Sequence, residues 1–111
     1  MRSSSLGTLE LNVLLAVARL ADDAYGLAVR RDVSSRLQHE YSVGAIYTTL
    51  ERLEGKGLVS SRIADPTPRR GGRARRHYTV TSAGRKAIQH AQRVAASAWS
   101  GLGTIVKPEM S

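Results

Sequence analysis

Apolar residues in the first half of the chain recur every three or four positions, which is the period of an α-helix. The pattern predicts a first helix over residues 6–21, a second over 24–37 and a third over 42–54. The first helix carries apolar residues on two faces, so one small core cannot cover it. We expect one face to pack in the domain's own core, and the other against a further helix or a second subunit.

Polar residues mark where the second and third helices begin. Asp22 and Asp23 offer N-cap oxygens for the second helix, and Ser42 offers one for the third. Only a short polar connection over 38–41 separates these helices. The positions expected to face inward are Ala24, Leu27, Ala28, Val33 and Leu37 in the second helix and Val43, Ile46, Leu50 and Leu53 in the third.

Alternating apolar and polar residues follow the third helix and predict a β-hairpin. Its strands cover about 58–64 and 75–81, and its loop contains Pro and Gly. Thr81 or Ser82 then caps a fourth helix over about 83–101. The predicted fold class is therefore mainly α with a small β-hairpin, in the order helix, helix, helix, strand, loop, strand, helix.

The composition narrows the classes of function. A chain of 111 residues with 41% hydrophobic residues suits one domain, and the lack of cysteine excludes disulfides and thiolate metal sites. No apolar stretch reaches the length of a membrane span, and residues 1–5 do not resemble a signal peptide. We therefore expect a cytoplasmic protein that has no membrane partner and needs no cofactor.

The sequence offers little for catalysis or metal binding. His39, His77 and His90 lie on three different elements, and none has metal-ligand spacing with another His or an acidic pair. No nucleophile stands at a recognisable spacing from a base, and no Gly-rich phosphate loop follows a strand. We expect neither enzyme activity nor a bound metal, and we expect His77 to be a surface residue.

The net charge of +8 is concentrated in one short segment. Residues 62–86 hold eight basic side chains against Asp65 alone, whereas the rest of the chain is nearly neutral. Such a segment favours a polyanionic partner, which means nucleic acid or an anionic membrane surface. A solvated basic loop is the plainer interpretation of the same charges.

The short connection between the second and third helices is typical of a helix-turn-helix, in which the third helix enters the major groove of DNA. Small and polar residues on its outward face allow close approach, and basic residues in the hairpin can follow the phosphate backbone as a wing. For the helix taken alone, an ordinary solvent face is the alternative. The candidate DNA-binding residues are Ser42, Gly44, Ala45, Tyr47, Thr48, Thr49 and Arg52 in the third helix and Arg69, Arg70, Arg73, Arg75 and Arg76 in the wing.

Several motifs together resemble the PadR family of bacterial transcriptional regulators, over residues 6–99. They are LGTLE at 6–10, AYG at 24–26, SVGAIYTTL at 42–50, RLEGKGLV at 52–59 and GGR at 71–73, running on through Arg76, Tyr78, Thr81 and Gly84. The resemblance implies a winged helix-turn-helix at 1–81, a dimerisation helix at 82–102 and a flexible tail at 103–111. It further implies a homodimeric repressor that binds double-stranded DNA at an inverted repeat, with Tyr47, Thr48 and the wing arginines at the DNA.

The resemblance and the apolar stripes both favour a dimer that joins the first and fourth helices of two subunits. Many relatives release DNA when a small molecule binds, and Trp99 with Leu11 and Leu15 is therefore a candidate site for a planar aromatic ligand. The plainer interpretation is that Trp99 packs against the partner's first helix. The candidate interface residues are Leu6, Leu11, Leu15, Ala87, Ile88, Ala91, Val94, Ala95, Ala98, Trp99 and Leu102.

Two alternatives to a ligand-responsive repressor stay open. One is a dimeric DNA-binding regulator without a small-molecule ligand, controlled by a protein partner or by its own expression level. The other is a protein-interaction module that has the winged-helix fold, in which the basic wing binds an acidic protein surface. Specific duplex binding with a steep salt dependence would argue against the protein-interaction module.

Overall fold

The computed structural model describes residues 6–63 and 75–105. Within these residues, four α-helices and one two-stranded antiparallel sheet follow one another in the predicted order, which confirms the fold class. Of the predicted tail, residues 106–111 lie outside the described residues. The elements are α1 Thr8–Leu20, α2 Gly26–Leu37, α3 Val43–Gly55, β1 Val59–Ile63, β2 Arg76–Val80 and α4 Ser82–Trp99, with 3-10 turns at Ala21–Asp23 and Gly103–Ile105.

The N-caps of α3 and α4 form as the sequence predicts, but that of α2 does not. Ser42 Oγ and Thr81 Oγ1 each accept a hydrogen bond, at 3.0 Å, from the backbone N–H three residues later. The prediction for Asp22 and Asp23 is wrong, because both residues lie in the 3-10 turn that precedes α2. The N-cap of α2 is Tyr25, whose side chain makes no capping bond.

The core lies between α1, α2, α3 and the sheet. The wide apolar surface of α1 follows from its position, because α1 contacts α2, α3, β2 and α4. Partly buried residues at the start of α4 extend the core on one side. The buried hydrophobic residues are Val13, Leu14, Ala16, Val17, Ala24, Val29, Val33, Ile46, Leu50, Leu53, Val59 and Tyr78.

Two residues that the apolar pattern placed in the core are exposed instead. Leu27 keeps 54% of its surface accessible, and Val43 keeps 43%. Leu27 lies two residues before the buried Val29, and about 200° of helix rotation turns it to the opposite side of α2. Val43 is the first residue of α3 and precedes the buried stripe, which also includes Thr49.

The hairpin is joined to the connection between α1 and α2. One edge of β2 pairs antiparallel with β1, and the other edge forms an isolated bridge between His77 and Tyr25. Next to this bridge, the Tyr78 N–H donates to the Ala24 carbonyl at 2.9 Å. The base of the hairpin is therefore held against the residues that lead into α2.

Candidate nucleic-acid interface

The turn between α2 and α3 is held by bonds to α2. Gln38 ends α2 in the left-handed region, with a φ of 53°, which turns the chain sharply. Arg30 Nε donates to the Tyr41 carbonyl at 2.6 Å, and the Tyr41 N–H donates to Ser34 Oγ at 3.2 Å. These bonds fix the connection over 38–41 and so set the angle at which α3 leaves α2.

The outward face of α3 has the small and polar character that the sequence predicts. No atom lies within 4 Å of the position that a Cβ would take at Gly44, so the backbone is open to solvent there. An open backbone beside hydroxyl groups suits a helix that approaches the edges of bases. The exposed residues of this face are Ser42, Gly44, Tyr47, Thr48 and Arg52, with Ala45 half-buried.

Thr49 does not belong to this face, which corrects its prediction as a DNA contact. The residue is 4% exposed, and its hydroxyl donates to the Ala45 carbonyl at 2.8 Å. Thr49 lies three residues after the buried Ile46, and this spacing returns it to the inward side of the helix. Its hydroxyl is therefore hydrogen-bonded within α3, and the side chain does not form part of the outward face.

Glu51 is an exposed residue on the outward face of α3 that is not among the predicted DNA-binding residues. It follows Thr48 by three residues and Tyr47 by four, and residues at these spacings are neighbours on a helix surface. The helical period counted onward from Gly44 and Thr48 is the signal that identifies this residue. The face that would meet DNA therefore contains a carboxylate beside its hydroxyl groups.

Tyr47 lies across the first residue of α2. A methyl group at Gly26 would overlap the phenol oxygen and ring carbon Cζ of Tyr47, so the ring fills the space that a side chain would need. Tyr47 nevertheless remains 36% exposed. The absence of a side chain at Gly26 therefore lets the ring connect the two helices of the helix-turn-helix at the surface.

Arg75 and Arg76, at the base of the wing, have different partners. The Arg75 guanidinium carbon lies 5.0 Å from the centroid of the Tyr25 ring, within the range of a cation–π interaction. Arg76 Nη1 donates to Ser61 Oγ at 3.0 Å, and Ser61 donates to Glu54 Oε2 at 2.8 Å. Both arginines are exposed, so each can still present charge to a polyanion. Outside the described residues lie the other predicted wing arginines, Arg69, Arg70 and Arg73.

His77 is buried, so the expectation of a surface residue is wrong. It is 5% exposed, and its Nε2 lies 3.0 Å from the Asp22 carbonyl oxygen. Because a carbonyl oxygen only accepts hydrogen bonds, this contact assigns the proton to Nε2. The ring also meets Tyr25 edge to face, with centroids 5.3 Å apart. His77 therefore fixes the base of the wing, because the connection between α1 and α2 covers it.

Two groups that support this surface have shifted pKa values. Burial raises the pKa of the Tyr78 hydroxyl, and the positive charge of Arg76 opposes the shift. The hydrogen bond from Lys56 Nζ, at 3.0 Å, lowers the pKa of Glu10 below its ordinary value of 4.5, against the opposing effect of burial. At neutral pH Tyr78 is therefore uncharged, and Glu10 is ionised and paired.

Within 6–63 and 75–105, no group of three His, Asp or Glu side chains lies close enough together to hold a metal ion. None of the helices in the same ranges is both long and apolar enough to cross a membrane.

The predicted dimer residues fall into buried and exposed groups. Leu6, Ala87 and Ile88 are partly buried and pack against the protein's own core. Leu11, Leu15 and Ala91 are half-buried. The second half of α4 is not covered, and the accessible fraction reaches 53% at Val94 and 60% at Trp99. The exposed candidates are Val94, Ala95, Ala98, Trp99 and Leu102.

The three ligand candidates, Leu11, Leu15 and Trp99, do not line the open depression found on the described surface. That depression lies on α2 and on the turn that follows it. A ligand site formed by the three candidates across two subunits stays a prediction. The residues around the depression are Leu27, Arg30, Arg31, Ser34, Ser35, Gln38, His39 and Glu40.

Comparison with known proteins gives consistent matches. Residues 14–90 match the Transcriptional regulator PadR-like family. The curated transcriptional regulator Rv3488 of Mycobacterium tuberculosis is 35% identical over 95 residues, which cover 84% of this chain and 80% of the relative.

Solved structures show the same fold. The complex structure of hsRosR-S4, whose RosR protein is from H. salinarum, has a TM-score of 0.72 at 26% identity and covers 87% of this chain and 76% of its own. A PadR family regulator from Eggerthella lenta has a TM-score of 0.65 at 23% identity, with 91% and 89% covered.

The geometry and the comparisons agree on the fold and on the class of protein. The order of elements, the exposed face of α3 and the hairpin with arginines at its base are those of a winged helix-turn-helix. The family and the curated relative are transcriptional regulators and not enzymes. The chain belongs to the PadR-like family of transcriptional regulators.

Proposed function

We propose that the protein is a homodimeric repressor that binds an inverted-repeat operator, with α3 in the major groove and the wing on the adjacent backbone. The observation that carries the proposal is the outward face of α3, where Gly44, Tyr47 and Thr48 are exposed on a helix held firmly against α2. The basic charge of residues 62–86 follows directly in the chain and supplies attraction to phosphates. A chromosomal operator makes the cytoplasm the place of action.

The uncovered half of α4 supports the dimer. Val94 and Trp99 remain exposed on α4 and Leu102 just after it, and α1 offers the half-buried Leu11 and Leu15. Burying these residues against a second copy of the chain removes apolar surface from water, which favours association once the entropy cost of joining two chains is met. A two-fold dimer presents α3 twice, and a separation of about 34 Å lets both copies enter successive major grooves.

A substitution on α4 tests the dimer. Val94→Lys places a charge in the proposed interface and should convert the dimer to monomers in sedimentation velocity, with operator binding lost at the same concentration. The matched control is Gln92→Lys, which adds the same charge to an exposed residue about 200° around the helix. A dimer that both variants leave intact would show that α4 does not form the interface.

We further propose that a planar aromatic molecule releases the repressor by binding at Trp99, Leu11 and Leu15 between the subunits. The exposed Trp99 ring offers a stacking surface, and a ligand there would alter how α4 packs and thus how far apart the two copies of α3 lie. The alternative is control by a protein partner or by expression level. Because Trp99 is the only tryptophan, its fluorescence separates the two: a ligand changes the emission and weakens DNA binding together.

Operator binding is tested by fluorescence anisotropy on a labelled duplex from the region upstream of the protein's own gene. Random duplex is the competitor, and the titration is repeated over a salt series. We expect binding that survives competition, with two subunits on each duplex and an affinity that falls steeply with salt. Weak binding that random duplex abolishes, on every upstream region tried, would contradict sequence-specific regulation and favour a protein partner of the basic wing.

A further inference from the structure

Glu51 lies in the middle of the surface that a basic protein would present to DNA. With about 100° of rotation for each residue, Gly44, Thr48 and Glu51 fall within about 60° of one another around α3. The buried Ile46 and Leu50 lie on the opposite side of the same helix. Glu51 therefore lies on the outward face together with Gly44 and Thr48, the residues that predicted this face to bind DNA.

The fold gives Glu51 no evident structural task. Glu10 is bonded to Lys56, and Glu54 accepts a hydrogen bond from Ser61. Glu51, in contrast, makes no hydrogen bond and no ion pair with any residue of the described ranges. Glu51 is exposed, so its carboxylate can meet a partner outside the chain.

A carboxylate at this place restricts which groups it can face. Phosphate oxygens repel it, and guanine O6, guanine N7 and thymine O4 are acceptors that cannot bond to it. The hydrogen-bond donors of the major groove are the amino groups on cytosine N4 and adenine N6. Adenine presents its N7 acceptor next to the amino group, whereas the cytosine edge presents the donor alone, so cytosine is the better partner.

The direction of a helical side chain agrees with such a contact. Side chains on an α-helix lean toward its N-terminus, so the Glu51 carboxylate extends over the turn that contains Tyr47 and Thr48. In a helix-turn-helix, the N-terminal part of the recognition helix lies nearest to the base edges. Glu51 can therefore reach the same base pairs as Thr48.

We propose that Glu51 is a specificity-determining residue, whose carboxylate accepts a hydrogen bond from the amino group of a cytosine in each half of the operator. This inference rests on the proposed function, because it requires α3 to lie in the major groove. Glu51 then selects one base by attraction and disfavours guanine and thymine at the same place by repulsion between acceptors.

Parallel selection of duplexes by the wild type and by Glu51→Gln tests the inference. Both proteins select from one pool that is randomised across the operator, at one salt concentration, and the bound sequences are counted. We expect one position in each half-site to prefer cytosine with the wild type. In Glu51→Gln this preference should fall by about tenfold and move toward adenine, which glutamine can bond at both N6 and N7. Preferences at the other positions should not change.

Two results would overturn the inference. If Glu51→Gln bound every sequence more tightly with unaltered preferences, the carboxylate would only repel phosphates. Identical selection by both proteins would show that Glu51 does not contact a base. The matched control is Asp23→Asn, which removes the same charge from an exposed residue of the 3-10 turn before α2, away from α3, and it should leave all preferences as they are. A wild type that enriches no sequence would refute the proposed function itself, which is a distinct outcome.

Discussion

The contact between Gly26 and Tyr47 leads to a prediction about Gly26→Ala. The new methyl group would overlap the end of the Tyr47 side chain, which supplies the three atoms nearest to it. Tyr47 is partly exposed, so the ring can swing away at the cost of its packing against α2. Overpacking typically costs about 1–3 kcal/mol, and replacing Gly by Ala in a helix returns up to about 1 kcal/mol. We therefore expect the variant to be less stable by about 1 kcal/mol.

A double-mutant cycle isolates this contact from the helix propensity. In the Tyr47→Ala background the obstacle is gone, and Gly26→Ala should then stabilise the fold by up to about 1 kcal/mol. The coupling between the two positions should thus be about 1–2 kcal/mol. The assay is urea denaturation followed by circular dichroism, at one fixed protein concentration because dimerisation contributes to stability.

Substitutions at two further glycines serve as controls for the double-mutant cycle. Gly44→Ala, in the first turn of α3, meets no atom within 4 Å and should stabilise both backgrounds alike. Gly84→Ala would overlap the Leu58 carbonyl oxygen, which cannot move away as a side chain can, and it should destabilise by more than Gly26→Ala. If Gly26→Ala changed the free energy of unfolding equally with and without the Tyr47 ring, the ring would not rest on Gly26.

Three other predictions concern the surface and its support. Gly44→Ala should weaken operator binding although the fold gains stability, because the methyl group projects from the outward face of α3; unchanged affinity in anisotropy would place Gly44 away from the DNA. Arg73→Ala should weaken binding to every duplex and flatten the salt slope by roughly one unit, and an unaltered slope would argue against a phosphate contact. Lys56→Gln removes the partner that lowers the pKa of Glu10. That pairing stabilises the fold above the ordinary pKa of 4.5, and its contribution disappears as the pH falls through the lower folded value. The variant should therefore be less stable by up to about 1 kcal/mol at pH 7 and should match the wild type near pH 2 in urea denaturation.

The sequence predicted the elements because their signals are local. The helical period of apolar residues identified all four helices, and Ser42 identified the start of α3 to the residue. The motifs from 42–59 also indicated the family, which the comparisons confirm. A hydroxyl at an N-cap or a repeat of three and four residues acts within one or two turns, so each can be recognised without knowledge of the rest of the fold.

The orientation of single residues within those helices was less predictable. Leu27 is apolar and exposed, whereas Thr49 is polar and buried. The helical period shows that a helix has an apolar stripe. Which residues lie at the centre of the buried face depends on the neighbouring elements that cover the helix. Glu51 was missed for the same reason, because the centre of the outward face becomes clear only when the buried centre is known.

Sequence by itself therefore determined the element order, the family and the basic character of the wing, all of which reside in local spacing and in composition. Only the tertiary structure decided that His77 is buried against Tyr25, that the Tyr47 ring rests on Gly26 and that the second half of α4 is uncovered. Each of these facts joins or separates residues that are distant in the chain. Such contacts depend on how the elements pack. The periodicity of one helix or strand does not indicate which other element packs against it.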